Sequence, residues 1–240
     1  MPRTTPEVEF PRAASASYFF RRQGIHLLFL AALLPVAWGL AAPALGQASW
    51  RGWSDDLWFA LCLGEAVAHQ VYVWIAWRAQ LGWRVFTRAF GHRDLAVYGA
   101  VFFPLLLLRV VLVAAVSAAG AGSLRLPLGL AVGLGAFLLV PALYTGWSVG
   151  RYFGFARAAG GDHFRRKYRE LPLVRQGAFA WTPNAMYALG FLGLWSIALL
   201  SRSHAGLVAA LFQHAYIWVH YACTEEPDME LLRGTRGETG

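Results

Sequence analysis

Residues 95–120 read LAVYGAVFFPLLLLRVVLVAAVSAAG, a stretch whose one charge is Arg109. As a helix rising 1.5 Å per residue it would run roughly 39 Å, more than the ~30 Å hydrocarbon layer of a bilayer. A lone strand there would leave its backbone groups unsatisfied in lipid, so a helix is the conformation expected. Working outward, further apolar stretches lie at about 24–45, 57–77, 127–149, 185–200 and 204–223. Together they predict an all-α, polytopic integral membrane bundle of about six transmembrane helices. The composition agrees: 58% of the 240 residues are hydrophobic and 14% charged, against about 25% charged in a soluble domain.

The basic residues alternate between the loops. Four precede the first span (Arg3, Arg12, Arg21, Arg22), four lie in the second loop (Arg78, Arg84, Arg88, Arg93), seven in the fourth (Arg151, Arg157, Arg165, Arg166, Lys167, Arg169, Arg175) and two in the tail (Arg233, Arg236). The first, third and fifth loops hold one each: Arg51, Arg125 and Arg202. Basic loops face the cytoplasm, so both termini and the functional face are expected there, in a multi-pass protein of a bacterial inner membrane. The net charge of +8 is thereby explained without a nucleic-acid partner. Cys62 and Cys223 lie inside apolar stretches, which excludes a disulfide framework, and no metal site is expected. The polar first residues, followed by an apolar stretch of full membrane length, do not read as a cleavable signal peptide. A single membrane domain over 1–240 is expected, with segment 1–23 and tail 224–240 cytoplasmic and the bundle in 24–223.

Only Ser201, Arg202 and Ser203 separate the last two spans, so these must form a C-terminal helical hairpin. The long fourth loop feeds into it, and loops of that length are frequently functional. Within the spans Glu65, His69 and Tyr72 share one helical face, and Arg109 is the natural partner for Glu65. Either they hold two helices in register or they contact substrate. His26 and His204 are expected at the membrane interface. Gly129, Gly133 and Gly135 lie at spacings that allow close helix packing, or let a ligand approach backbone.

The hairpin's end reads His214, Tyr216, Trp218, His220, Tyr221, Cys223, Thr224, Glu225, Glu226, Pro227, Asp228. Pro227 is expected to end the helix. Carboxylates at a helix C-terminus oppose the macrodipole, and beside an anionic leaflet they are repelled. Both penalties fall if a cationic ligand binds there. At the hairpin's start, Thr182 can cap a helix whose first turn holds Pro183 and Asn184.

With these residues in view, the chain between about Leu57 and Arg233 resembles the membrane-embedded phosphatidylethanolamine N-methyltransferases, relatives of the isoprenylcysteine carboxyl methyltransferases. The resemblance lies in Thr-Arg-Ala-Phe-Gly at 87–91, Arg109, Gly133-Leu-Gly135, Gly150-Arg-Tyr-Phe-Gly154, Asn184-Ala-Met-Tyr-Ala-Leu-Gly190 and Glu225-Glu-Pro227. It implies S-adenosylmethionine as cofactor, held by Gly133, Gly135, Glu225 and Glu226 with Asn184 and Tyr187, and a phospholipid as substrate. The Arg-His-Pro-x-Tyr of the carboxyl methyltransferases is missing before Tyr187, which favours an amine acceptor. Methyl transfer to an amine needs the neutral nucleophile, and His214 and His220 are the candidate bases. Arg165, Arg166 and Arg169 of the fourth loop are candidates for the lipid phosphate. An isoprenylcysteine or other lipidic acceptor, or a non-enzymatic transporter or scaffold using Glu65, His69 and Arg109, stays open as an alternative.

Overall fold

The computed structural model describes residues 10–234, and they are predominantly helical. A single turn α1 (Ala16–Phe19) leads into α2 (Gln23–Ala41), and a two-residue hairpin, β1 (Ser49–Trp50) and β2 (Trp53–Ser54), precedes α3 (Asp55–Trp83). The Asp55 carboxylate starts α3, accepting backbone N–H bonds from Gly46 at 2.8 Å and Ala48 at 3.1 Å, and its charge suits the positive end of the helix. Then come α4 (Val85–Phe90), α5 (Asp94–Ala119) and α6 (Leu128–Ser148). The fourth loop carries the short helices α7 (Phe155–Ala158) and α8 (Arg166–Arg169). The chain finishes with α9 (Leu192–Leu200), α10 (His204–His220) and α11 (Glu226–Gly234).

Four helical segments are long and apolar enough to cross a membrane: Ala16–Ala44, Asp55–Trp83, Val85–Ala119 and Leu128–Phe153. The hairpin helices are shorter, Met186–Leu200 spanning 15 residues and α10 17, so six crossings are not reached on length and hydropathy. The hairpin nevertheless lies in the bundle. α9 packs along α6 and also touches α5, while α10 packs on α2, α3 and α5. Its turn is fixed by the Ser203 hydroxyl, which accepts from the Gly206 N–H at 3.1 Å.

The helix ends fall into two groups. One gathers the turn at 201–203 with the ends of α2, α5 and α6, through Gly122 N–H to Ser201 O at 3.0 Å, Leu124 N–H to Arg202 O at 2.8 Å and His204 Nε2 to Leu40 O at 2.8 Å. The other gathers Arg22, Arg78, Asp94, the fourth loop and the acidic stretch after His220, and holds most of the basic residues. Here α6, α9 and α10 each contain or adjoin one π-helical turn, at Val149–Phe153, Met186–Gly190 and Tyr221–Glu225. Such turns widen a helix locally and recur at functional sites.

Two local expectations are corrected. Pro227 does not end the helix: the π turn at Tyr221–Glu225 passes straight into α11, and the carbonyls of Cys223 and Ala222, four and five residues before the proline, accept from Arg78 Nη2 and Arg22 Nη1 instead of from the N–H that proline lacks. His26 is buried rather than interfacial, its ring bonded to Tyr216 Oη at 2.9 Å and Gln23 Oε1 at 2.9 Å, because α2 packs along α10. α11 buries Leu232 against Phe10, Ala13, Tyr18 and Leu81.

Candidate active site

Between α3, α5, α6, the turn Met186–Gly190 and α10 lies a cavity of about 440 Å³, within the range of small-molecule sites. Trp77, Phe102 and Phe191 give it aromatic walls; His69, Arg109, Tyr187 and His220 bring polar groups to it. Phe103, Leu106 and Val110 line it while remaining 41–42% exposed, so it opens on the apolar outer face between α5 and α6. At Gly146 a Cβ would meet nothing within 4 Å, and the backbone of α6 is bare to the space.

The polar groups are unevenly satisfied. Glu65, His69 and Arg109 form a buried cluster: Arg109 Nε stands 3.9 Å from Glu65 Oε2, Glu65 Oε1 stands 3.6 Å from His69 Nδ1, and Arg109 Nη2 donates to His69 Nδ1 at 3.2 Å. Both Glu65 oxygens, Arg109 Nε and His69 Nε2 lack hydrogen-bond partners. His220 is 1% exposed and its Nδ1 is also without a partner. It sits beside the rings of Trp77 and His26, at centroid distances of 6.0 and 6.2 Å.

Adjacent residues on a helix point about 100° apart, and the acidic pair divides accordingly. Glu225 accepts a short hydrogen bond from the Tyr187 hydroxyl, which ties the end of α10 to the cavity wall. Glu226 turns to α2 and takes Arg22 Nη1 at 2.7 Å. Asn184 is set back from the cavity: its carbonyl accepts the Tyr187 and Ala188 N–H groups, and its own N–H reaches Thr182 Oγ1 at 3.3 Å; this contact closes a turn at 182–184 that precedes the helix, so Thr182 is not the helix cap expected and Pro183 and Asn184 lie outside the first turn. His214 does not line the cavity but packs on the Phe191 ring of its wall, centroids 5.5 Å apart, with its Nδ1 accepting from Trp195 Nε1 at 3.1 Å.

Gly133 and Gly135 lie nearer the other end of α6. A Cβ on Gly133 would meet open space, whereas one on Gly135 would come within 2.8 Å of Leu200 Cγ. Gly135 thus lets α9 approach, and its carbonyl accepts from Ser196 Oγ at 2.8 Å. Neither glycine lines the cavity. Gly146 and Gly190 do; the spacing that singled out Gly133 and Gly135 in the sequence does not tell which glycines face a ligand.

The fourth-loop arginines are engaged with protein. Arg165 forks onto both carboxylate oxygens of Asp94 and also donates to His92 O, and the Asp94 hydrogen bond raises its guanidinium above the ordinary arginine value. Arg166 pairs with Glu170 at 2.6 Å, and Arg169 donates to Asp162 O at 2.6 Å while covering the Phe10 ring. Burial raises the Asp162 carboxyl above the usual carboxylate range. Thr87 also donates to Asp94, at 2.6 Å, so the 87–91 motif anchors the loop against α5. Among the described residues no group of three or more potential ligands could hold a metal ion.

Residues 130–235 match the model of the phospholipid methyltransferase family. Among curated proteins, the phosphatidylethanolamine N-methyltransferase of Scheffersomyces stipitis is 34% identical over 76 residues, 31% of this chain and 9% of that protein. The enzymes of the same name from Meyerozyma guilliermondii and Debaryomyces hansenii are 35% and 33% identical over 79 residues, 32% of this chain and 9% of theirs. These relatives are yeast proteins and lend no support to a bacterial membrane; the match takes in only a small part of their length. No solved structure matches. Over its C-terminal part, the chain is therefore similar to the phospholipid methyltransferase family that its motifs resemble.

Proposed function

We propose that the protein is a membrane-embedded, S-adenosylmethionine-dependent enzyme that methylates the headgroup nitrogen of phosphatidylethanolamine or its partly methylated forms, towards phosphatidylcholine. The observation that carries this is the cavity. It opens on an apolar outer face, as a bilayer substrate requires, and the walls built by α6, Met186–Gly190 and α10 fall inside residues 130–235. The basic end then faces the cytoplasm, and the hairpin crosses the bilayer with the four longer helices.

The residues suit the cofactor in kind. Glu225, with Tyr187 at the wall, offers a carboxylate to a cationic ligand; Gly146 and Gly190 leave backbone bare; Trp77 and Phe191 supply aromatic surface. When bound, S-adenosylmethionine supplies a methyl carbon already activated by a sulfonium. What is left to the protein is alignment and the removal of water. Phe102, Phe103 and Leu106 keep water from the reacting groups. The headgroup must react as the free amine, and His220, whose buried Nδ1 has no partner in the protein, takes the proton.

Purified protein given labelled S-adenosylmethionine and a panel of lipids tests this. Label in methylated phosphatidylethanolamine is the expected result. Label in a prenylcysteine substrate instead overturns the acceptor, and failure to bind S-adenosylmethionine overturns the enzyme.

A further inference from the structure

We propose that Arg109, backed by Glu65 and His69, is an oxyanion seat in the cavity that holds the anionic group of a zwitterionic ligand. The proposal deepens the function just proposed and rests on it. That function supplies two ligands of this chemistry: the lipid headgroup, with its phosphate and ammonium, and the amino-acid end of the methyl donor, with its carboxylate and ammonium.

The chain contains its own standard for a structural arginine. Arg78 is fully buried, and every nitrogen of its guanidinium is engaged: Nε donates to Asp228 at 3.1 Å, Nη1 to the carbonyls of Tyr18, Phe19 and Arg21 at 2.8–3.2 Å, and Nη2 to Cys223 O at 3.0 Å. Arg109 is 3% exposed, yet of its five N–H donors one is used, towards His69 Nδ1 at 3.2 Å. Its Nε has no hydrogen bond, and Glu65 stays 3.9 Å away with both oxygens equally orphaned. A pair whose task was to join α3 and α5 would close into a bidentate fork, since buried charges are tolerable only when their hydrogen bonds are made. Here the fork is held open on a cavity wall, with the Phe191 ring 5.3 Å from the guanidinium carbon.

Charge balance selects the ligand class. Glu65 offsets Arg109 without saturating it, so a bare anion would leave net negative charge in a largely apolar space. A zwitterion brings its own cation and leaves the balance unchanged.

The test uses the full chain in lipid nanodiscs with two variants. Arg109→Lys keeps the charge and loses the fork; the double variant Glu65→Met/Arg109→Met removes both charges and strands neither. Calorimetry compares S-adenosylmethionine with methylthioadenosine, which lacks the amino-acid end, and native mass spectrometry compares retained phosphatidylethanolamine with diacylglycerol. The expected result is a loss of roughly 10- to 100-fold for one zwitterion, the size of one charge-assisted contact, with methylthioadenosine and diacylglycerol unaffected. Loss for S-adenosylmethionine identifies the carboxylate; loss for phosphatidylethanolamine identifies the phosphate. A folded double variant that binds both as the parent does overturns the seat, as does a double variant that fails to fold while Arg109→Lys binds both normally. A parent that binds neither zwitterion overturns the proposed function along with it.

Discussion

Arg78 and Asp228 form an ion pair with neither side chain exposed, Nε to Oδ1 3.1 Å, and it joins α3 to the helix that follows the acidic motif. Tyr18 donates to the same carboxylate at 2.9 Å, and His163, stacked on Trp77 at 4.1 Å, approaches it from the fourth loop at 3.5 Å. Three separate segments thus converge on one carboxylate carried by a fourth. Removing one partner of a buried pair leaves the other uncompensated, at a cost of about 3–5 kcal/mol. Asp228→Asn should therefore lower the unfolding temperature of the purified protein markedly. Glu230→Gln breaks only the half-exposed contact with Arg21 at 3.3 Å and should change it little, since surface pairs contribute ~0–1 kcal/mol. Equal melting of the two variants would count against the anchor.

Orientation is a second expectation. Reporter fusions at residues 90 and 170 should be cytoplasmic and those at 48, 124 and 202 on the opposite side, because 17 basic residues fall in the segments grouped with the first set and three in the others. An outward signal from 170 would put the basic end on the wrong side of the membrane for the proposed cofactor supply.

The glycines of α6 make a third test. Gly135→Ala forces a Cβ to 2.8 Å from Leu200 Cγ, so it should cost about 1–3 kcal/mol through overpacking against α9. Gly133→Ala meets open space and should be neutral in both stability and cofactor affinity. Gly146→Val pushes a side chain into the cavity and should reduce binding while leaving thermal stability near the parent. If Gly133→Ala alone weakened binding, the cofactor would lie along the other half of α6.

Much of this was legible in the sequence because hydropathy is local: each long span follows from its own residues, and Glu65 and Arg109 stand out as charges in apolar helices. The cavity was not legible. Trp77, Phe102 and Gly146 belong to the same residue types as the lipid-facing surface, and only the packing of elements far apart in the chain decides which of them line a space. Asp228 read as one more acid in an exposed tail, because its partner Arg78 lies 150 positions away. The π turns defeat a helical wheel drawn at 3.6 residues per turn, so the phase beyond Tyr221 could not be carried forward from His214.

His220 and His214 should separate kinetically. His220 lines the cavity and its buried Nδ1 has no partner, whereas His214 Nδ1 is occupied by Trp195. His220→Asn should lower kcat by about 10²–10⁴-fold if it takes the amine proton, and should remove the limb on which rate rises as the base deprotonates. His214→Phe should retain most of the activity and that limb. Rate–pH profiles at saturating cofactor distinguish the two, and a parental profile for His220→Asn would exclude it as the base.

The acidic pair gives the sharpest prediction, because its two members face different partners. Glu225 bonds Tyr187 at the cavity wall, whereas Glu226 is committed to Arg22 at 2.7 Å and its side chain is 43% exposed. If Glu225 holds the cofactor's cationic or hydroxyl groups, Glu225→Gln loses a charge-assisted contact of about 1.5–3 kcal/mol, which weakens binding by roughly one to two orders of magnitude. Glu226→Gln should leave affinity within about threefold and affect stability by at most ~1 kcal/mol. Tyr187→Phe frees the Glu225 carboxylate from its present donor, so it should alter affinity while the Arg22 contact persists. Calorimetric titration of S-adenosylmethionine into the three variants reads these differences directly. Equal weakening by Glu225→Gln and Glu226→Gln would mean that the motif acts as a shared acidic patch, and the division of labour between neighbouring carboxylates would have to be abandoned.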